Sequence, residues 1–166
     1  MPHSDLIIRS ANPADHPHIW SILKPIFHAG ETYAIEQNIT EKGALSYWAG
    51  PLNDVFVATD RRDGILGTYY LKPNGRGLAD HICNCGYAVA AAAQGKGIAR
   101  AMLEHSIVTA SGLGFTAMQY NFVLETNARA IKTWERAGFE TIGRIPKAYR
   151  HPTHGMIAAR IMIRNL

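Results

Sequence analysis

Gln94-Gly95-Lys96-Gly97-Ile98-Ala99 separates a β-rich run from a helical one. Two glycines in four residues let the backbone turn tightly and bring several N–H groups close to a ligand. The helix that opens at Gly97 adds unpaired N–H donors and a partial positive charge. The combination suits an anion, a pyrophosphate above all, with Lys96 and Arg100 adding charge at the rim. Other phosphate loops fit less well. A Walker loop needs Ser or Thr after Gly-Lys, and Gly97 stands there. A dinucleotide fingerprint needs a third glycine where Arg100 stands, and an opening β-α-β unit that the N-terminal sequence lacks. A helix start without any ligand is the remaining alternative for the loop taken alone.

Outward from this loop the pattern alternates. Upstream, Leu6–Ser10 reads as a strand and Pro13–His28 as a helix capped by Asn12, with Pro25 expected to kink it or end it early. Thr40 caps a second short helix carrying Ala44, Leu45 and Trp48 on its inner face. Val55–Thr59 and Ile65–Leu71 read as strands joined by Arg-Arg-Asp-Gly, a hairpin signal. The loop Pro73–Gly77 leads into a fourth strand, His81–Ala90. Downstream, a helix from Gly97 to about Ser111 ends near Gly112 and Gly114. Phe115–Phe122 is a strand and Asn127–Ala137 a helix stopped by Gly138; Glu140–Arg144 and Met156–Ile163 are closing strands. The order β-α-α-β-β-β-α-β-α-β-β predicts an α/β fold with one mixed, mostly antiparallel sheet and helices on both faces. No repeat or linker divides the 166 residues, so residues 1–166 are expected to form one domain.

Composition narrows the class. Hydrophobic residues make up 47% and charged residues 18%, the balance of a folded globule. No apolar run reaches the ~20 residues that cross a bilayer, and MPHSDLIIRS lacks the features of a signal peptide. The expectation is a cytoplasmic protein without membrane contact. Cys83 and Cys85 are too close for an unstrained disulfide and lack the C-x-x-C spacing of a metal or redox motif, so they read as buried thiols. No His-x-x-x-His pair points to zinc, and no metal is expected. The net charge of +4 comes from scattered Lys and Arg. That suits a polyanionic small molecule as well as nucleic acid, for which no recognition motif exists here.

Two elements in the right order carry a family resemblance. Gln94-x-x-Gly97-x-Ala99 after a strand resembles the acetyl-CoA signature of the GNAT N-acetyltransferases. Asn127-x-x-Ala130 opening a helix, then Trp134 and Ala137-Gly138-Phe139, resembles a second element of that family. The resemblance covers most of the chain and implies a sheet that splays between its fourth and fifth strands, with the pantetheine arm in the gap. It implies that Tyr87 and Val89 contact that arm through backbone groups. Gln94, Gly95, Lys96, Gly97, Ile98, Ala99 and Arg100 would then surround the pyrophosphate, and the Asn127 amide would bond the arm from the other side. A homodimer is common in the family. Within it, His81-Ile-Cys-Asn-Cys-Gly-Tyr87 and Asn121-Phe-Val-Leu-Glu-Thr-Asn127 look like the yeast enzymes that acetylate azetidine-2-carboxylate, a proline analogue. That likeness implies Asn84 and Asn121 as the residues that hold the substrate.

The chemistry is consistent with those roles. An acceptor amine must be neutral to attack a thioester, and an oxyanion develops as it does. An Asn amide can accept from the amine and donate to an oxyanion or a carboxylate. A mid-strand Asn is disfavoured by propensity and invites a reason; a structural bond to an irregular backbone carbonyl is the competing one. Many family members use a tyrosine in the last helix to protonate the thiolate, whereas Trp134 stands there and cannot. A thiol with pKa near ~8.5 leaves with little help. Tyr87, Tyr120 and Tyr149 are fallback acids, and Glu31, Glu36, Glu125 and His81 candidate bases. His151, Pro152 and His154 form a polar loop, either a rim of the acceptor pocket or a plain hairpin. The expectation is therefore acetyl-CoA-dependent acetylation of a small-molecule amine by direct transfer, an imino or amino acid first, with an antibiotic, a polyamine or a peptide N-terminus as the alternative acceptors. A CoA-binding module without turnover and a nucleic-acid-binding domain are the alternatives from other classes.

Overall fold

The computed structural model describes residues 6–62 and 64–166. Its strands are β1 (Ile7–Ser10), β2 (Asp54–Asp60), β3 (Gly64–Pro73), β4 (Ile82–Val89), β5 (Ala117–Leu124), β6 (Glu140–His151) and β7 (Gly155–Asn165). Its helices are α1 (His16–Ala29), α2 (Glu41–Trp48), α3 (Ile98–Gly112) and α4 (Ala128–Arg136). All seven strands form one sheet in the order β1-β2-β3-β4-β5-β7-β6, antiparallel throughout except for β4 beside β5. The element order and the mixed sheet are as the sequence predicts.

Each face of the sheet owns a core. On one, α1 buries Ile19, Ile22, Leu23 and Phe27 and α2 buries Ala44 and Trp48, against Val57, Tyr70 and Ala88. Each such large side chain stabilises by roughly 1.5–3 kcal/mol. Trp48 donates its indole N–H to Thr68 Oγ1 (3.1 Å), and Thr68 donates to the Phe56 carbonyl (2.9 Å), so the polar atoms under α2 are satisfied. On the other face, Ile98, Met102 and Leu103 of α3 and Ile131 of α4 cover Tyr69, Leu71, Cys83, Cys85, Met118 and Tyr120. Both cysteines are free thiols in this second core, and burial pushes the Cys83 thiol up to about 12.

Beyond shifts of a residue or two at other element ends, the structure departs from the expected reading in three places. Asn12 caps a 3-10 turn, Pro13–Asp15, closed by a capping box with Asp15, and α1 starts only after it. Pro25 neither ends nor interrupts α1, which runs on to Ala29 and a left-handed Gly30 (φ 66°). The proline lies on the solvent side, where water can serve the carbonyl it leaves unpaired, while Ile22, Leu23 and Phe27 hold the buried side. β6 continues to His151 rather than ending at Arg144. Its register shifts at Thr141/Gly143 and Ile145/Tyr149, and Lys147 takes φ 50°. Those bulges and Pro146 are tolerated because β6 is an edge strand, and they erase the alternation that would mark it as one. His151 thus ends β6, and its Nδ1 accepts from the backbone N–H groups of Thr153 and His154 (both 3.2 Å), which makes the His-Pro-Thr-His segment a hairpin turn. The β2–β3 hairpin forms as expected, with Asp60 opposite Gly64; of its turn, Asp63 lies outside the described residues. Among the described residues no helix is long and apolar enough to cross a membrane.

Candidate active site

β4 and β5 begin side by side and then part. Their only register partners are Ile82 with Ala117 and Cys83 with Met118, although β4 runs on to Val89 and β5 to Leu124. Asn74 donates its backbone N–H to Ile82 O and Ala90 to Leu66 O (both 2.8 Å), so even-numbered residues of β4 turn their backbone groups toward β3. The backbone groups of Cys85, Tyr87 and Val89 therefore face the gap. Tyr33, from the α1–α2 loop, donates its hydroxyl to the Tyr87 carbonyl (2.7 Å), which leaves the Tyr87 N–H.

Asn84 stands where the strands separate. It is 8% exposed, donates Nδ2–H to the Gln119 carbonyl of β5 (2.9 Å) and accepts from the Tyr70 hydroxyl at Oδ1 (3.3 Å). Its side chain thus continues the β4–β5 connection one step after the backbone ladder stops, which explains a mid-strand Asn. One N–H and one lone pair of the amide remain for a further partner. On β5, the β5–β7 register shifts between Tyr120 and Val123, which places Asn121 and Phe122 in a bulge. Asn121 accepts from Gln119 Nε2 (2.9 Å) and donates to Asn74 Oδ1 (2.6 Å).

The Gln94–Ala99 loop follows β4 directly. A 3-10 turn, Ala91–Ala93, leads to Gln94 in extended conformation, then to Gly95 (φ 77°) and Gly97 (φ 81°), and α3 starts at Ile98. Ile98 is buried against the sheet and fixes the start of the helix. The first bond of the α3 ladder is Ala101 N–H to Gly97 O, so the N–H groups of Ile98, Ala99 and Arg100 precede it, as in any helix first turn. A Cβ at Gly95 or Gly97 would meet nothing within 4 Å. These glycines are thus required for their left-handed backbone, and the space before the loop is open. Arg100 pairs with Glu104 (2.8 Å), both side chains well exposed, an association weak enough to yield to an anion.

A cavity of about 1240 Å³ joins these parts. It brings together Asn84, Tyr87, Val89, Gln94, Asn121 and Asn127 of the expected site; Gly95, Lys96 and Gly97 form an exposed turn beyond its lining, followed by Ile98, Ala99 and Arg100 in the first turn of α3. Asn127 caps α4, its Oδ1 accepting from the Ala130 N–H (3.3 Å). The wall on the α1–α2 side adds residues that sequence reasoning missed: Tyr33, Tyr47, Tyr70, Lys72 and Asn74. The Tyr70-x-Lys72 alternation on β3 was the available signal, since it puts both side chains on one face.

Trp134 also lines the cavity, packed against Tyr87 and Tyr120 with ring centroids 5.3 and 5.1 Å away. Tyr87 and Tyr120 bond each other through their hydroxyls (3.0 Å), and Tyr87 bonds Ser106 Oγ (2.7 Å). Burial pushes both phenols well above their ordinary range. Tyr149 donates its hydroxyl to the carbonyls of Gly30 (2.6 Å) and Tyr33 (3.1 Å) and so ties β6 to the α1–α2 loop. Of the candidate bases, Glu31, Glu36 and His81 are exposed outside the cavity lining, and Glu125 is held by Arg144 (2.8 Å) and Arg160 (3.4 Å).

Comparison with known proteins agrees with this geometry. The profile of the acetyltransferase (GNAT) family matches residues 16–139. The N-acetyltransferase aca1 of Schizosaccharomyces pombe is 31% identical over 140 residues, 75% of this chain and 67% of its own. The structure of a GCN5-related N-acetyltransferase from Kribbella flavida superposes with a TM-score of 0.92 at 40% identity, over 98% of both chains. A phosphinothricin acetyltransferase from Sinorhizobium meliloti, solved in complex with AcCoA, shares the fold with a TM-score of 0.84 at 23% identity, over 98% of this chain and 89% of that one. The parted strands, the loop that follows them and these likenesses agree, and the chain belongs to the acetyltransferase (GNAT) family, as an N-acetyltransferase.

Proposed function

We propose that the protein transfers the acetyl group of acetyl-CoA directly to the amine of a small molecule, an imino or amino acid such as a proline analogue. The observation that carries the reading is the parting of β4 and β5 with Asn84 at its apex, immediately before the N–H-rich turn Gly95–Arg100. The residues fit the cofactor. The loop offers a left-handed glycine backbone and helix-terminal N–H donors for a pyrophosphate. The gap offers the gap-facing backbone groups of β4, the Tyr87 N–H among them, for an amide-bearing arm. Bound acetyl-CoA would supply the activated thioester.

The chain's own residues then orient and exclude. Gln94 and Gly95 to Arg100 bind the pyrophosphate, the Tyr87 and Val89 backbone binds the arm from one side, and Asn127 Nδ2 from the other. Asn84 keeps one acceptor and one donor for the incoming amine and the developing oxyanion. Asn121, at the β5 bulge, borders the same space. Tyr87 and Tyr120 stay neutral, and the thiolate leaves without an enzyme acid, so the acceleration comes from placement. Among the described residues Asp80 is the one carboxylate that lines the cavity, in an exposed turn, so the amine loses its proton to solvent before it attacks.

The likeness of His81–Tyr87 and Asn121–Asn127 to the azetidine-2-carboxylate acetyltransferases supports the imino-acid choice. A reducing, cytoplasmic setting suits the two free thiols. A homodimer is supported by the exposed Ile142, Ile145 and Met156 along the β6–β7 edge. The test is thiol release from acetyl-CoA with azetidine-2-carboxylate, proline analogues and common amino acids. Release that depends on an imino acid is expected. Release with a different amine would discard that substrate class, and silence across the panel with acetyl-CoA bound would discard turnover.

A further inference from the structure

Lys72 is a cation of the acceptor half of the cavity, which it lines with Arg76. It sits on β3 directly opposite Asn84 of β4, and two residues beyond Tyr70 on the same face. Its ammonium lies over two aromatic rings, 5.4 Å from the centroid of Tyr70 and 5.9 Å from that of Tyr47. Among the described residues no carboxylate lies within ion-pair distance of it. An unpaired lysine usually extends into solvent. This one is half-buried, lines the cavity, and is held over the rings. The rings take one face of the ammonium and satisfy none of its three N–H donors.

We infer that Lys72 binds a carboxylate carried by the acceptor, so that the enzyme selects amines with a carboxylate on the neighbouring carbon. The inference rests on the acetyl-transfer reading for what happens at the amine. Asn84 and Lys72 are opposed residues on paired antiparallel strands, their Cα atoms ~5.5 Å apart for a hydrogen-bonded pair. Such neighbours can grip two polar groups borne by a single carbon. In that pose the Asn84 oxygen, with its spare lone pair, accepts from the amine, and Lys72 takes the acid. The same arrangement discriminates. A diamine or polyamine would bring its second ammonium against Lys72, with Arg76 also on the wall, and Asp80 the only lining carboxylate among the described residues to offset them.

The test measures binding and does not depend on turnover. Dissociation constants of azetidine-2-carboxylate and azetidine-2-carboxamide are measured by calorimetry on the coenzyme A-loaded protein. The native protein should prefer the acid by roughly 10- to 100-fold, the strength of a charge-assisted hydrogen bond. Lys72→Met should remove that preference and Lys72→Arg should restore it, with coenzyme A affinity reporting that each variant is folded. Absence of a preference in the native protein, whether both ligands bind alike or neither binds, overturns the inference. So does a preference that survives in Lys72→Met. A preference that behaves as expected in a protein that releases no thiol would support the carboxylate site and reject acetyl transfer, so the two readings fail separately.

Discussion

The two halves of the cavity are built from different materials. The half beside α3 is made of backbone: the turned-in groups of β4, the left-handed turns at Gly95 and Gly97, and the free N–H groups that open the helix. The half beneath α1 and α2 is made of side chains: Tyr33, Tyr47, Tyr70, Lys72, Asn84 and Asn121. A backbone site binds a constant ligand and tolerates many sequences, provided the glycines remain. A side-chain site can be retuned one residue at a time. On the proposed reading, recognition of what is common to every turnover falls to the former, and recognition of the acceptor to the latter.

If that division is right, the largest effect comes from spoiling the backbone half. Gly97→Glu forces a φ of 81° on a residue with a Cβ and puts an anion where an anion must bind. Calorimetry should show coenzyme A affinity reduced by about 100-fold or more. An affinity within a fewfold of native would mean that the loop does not hold the pyrophosphate.

Asn84→Ala breaks the other half. kcat/KM for the acceptor should fall roughly 100-fold, as when a transition-state hydrogen-bond donor is lost, while coenzyme A affinity stays within a fewfold. The same change strips the Gln119 carbonyl of its partner, so melting should also report a loss of about 1–3 kcal/mol. A stability loss without a kinetic one would make Asn84 a strap across the split sheet and nothing more.

The pH profile sharpens the comparison by asking whether either half holds a titrating catalyst. The phenols are pushed up and, among the described residues, no carboxylate but Asp80 lines the cavity. kcat/KM should thus climb about tenfold per pH unit up to the amine's own pKa, and Trp134→Phe should leave that curve where it is. A limb that follows the enzyme, unchanged between two acceptors of different basicity, would reveal a base in the wall.

The smallest effect belongs to a control outside both halves. Asp15 accepts from Arg9 (2.7 and 2.9 Å) and from the Asn12 N–H (2.8 Å), and the Arg9 guanidinium holds its carboxyl down to about 2. A carboxyl lower in the folded state than its unfolded ~3.9 stabilises above about pH 4 and loses that contribution as pH falls toward 2. Asp15→Asn should therefore cost about 1 kcal/mol at pH 7 in urea melts, with the gap closing in acid. Neither coenzyme A nor acceptor affinity should move.

The same division explains what the sequence disclosed. Gln94-Gly95-Lys96-Gly97 and the Asn127 cap are local: each reads from a few adjacent residues, because backbone conformation and capping are decided there. The element order was legible for the same reason. The acceptor wall was not, because Lys72 meets Asn84 through strand register, and Tyr33 and Tyr47 arrive from a loop and a helix that only the tertiary fold brings to them. Asn84 could be singled out as an oddity of a strand, yet its bond to Gln119 depends on where two strands part. The part of β6 beyond Arg144 hid for a related reason: the register shifts and Pro146 cancel the period of two, so only pairing with β7 reveals it.

The strand order has a consequence for how the molecule is made. β7 lies between β5 and β6, both of which leave the ribosome before it. Until β7 arrives, β6 has no place in the sheet and β5 is joined to it by its two register pairs with β4 and the Asn84–Gln119 bond. Tyr149, which rides on β6, cannot reach the carbonyls of Gly30 and Tyr33 before then. Nascent chains shorter than β7 would therefore carry the coenzyme loop already formed and an acceptor wall still loose, and the insertion of one strand would complete the sheet and set that wall in the same event.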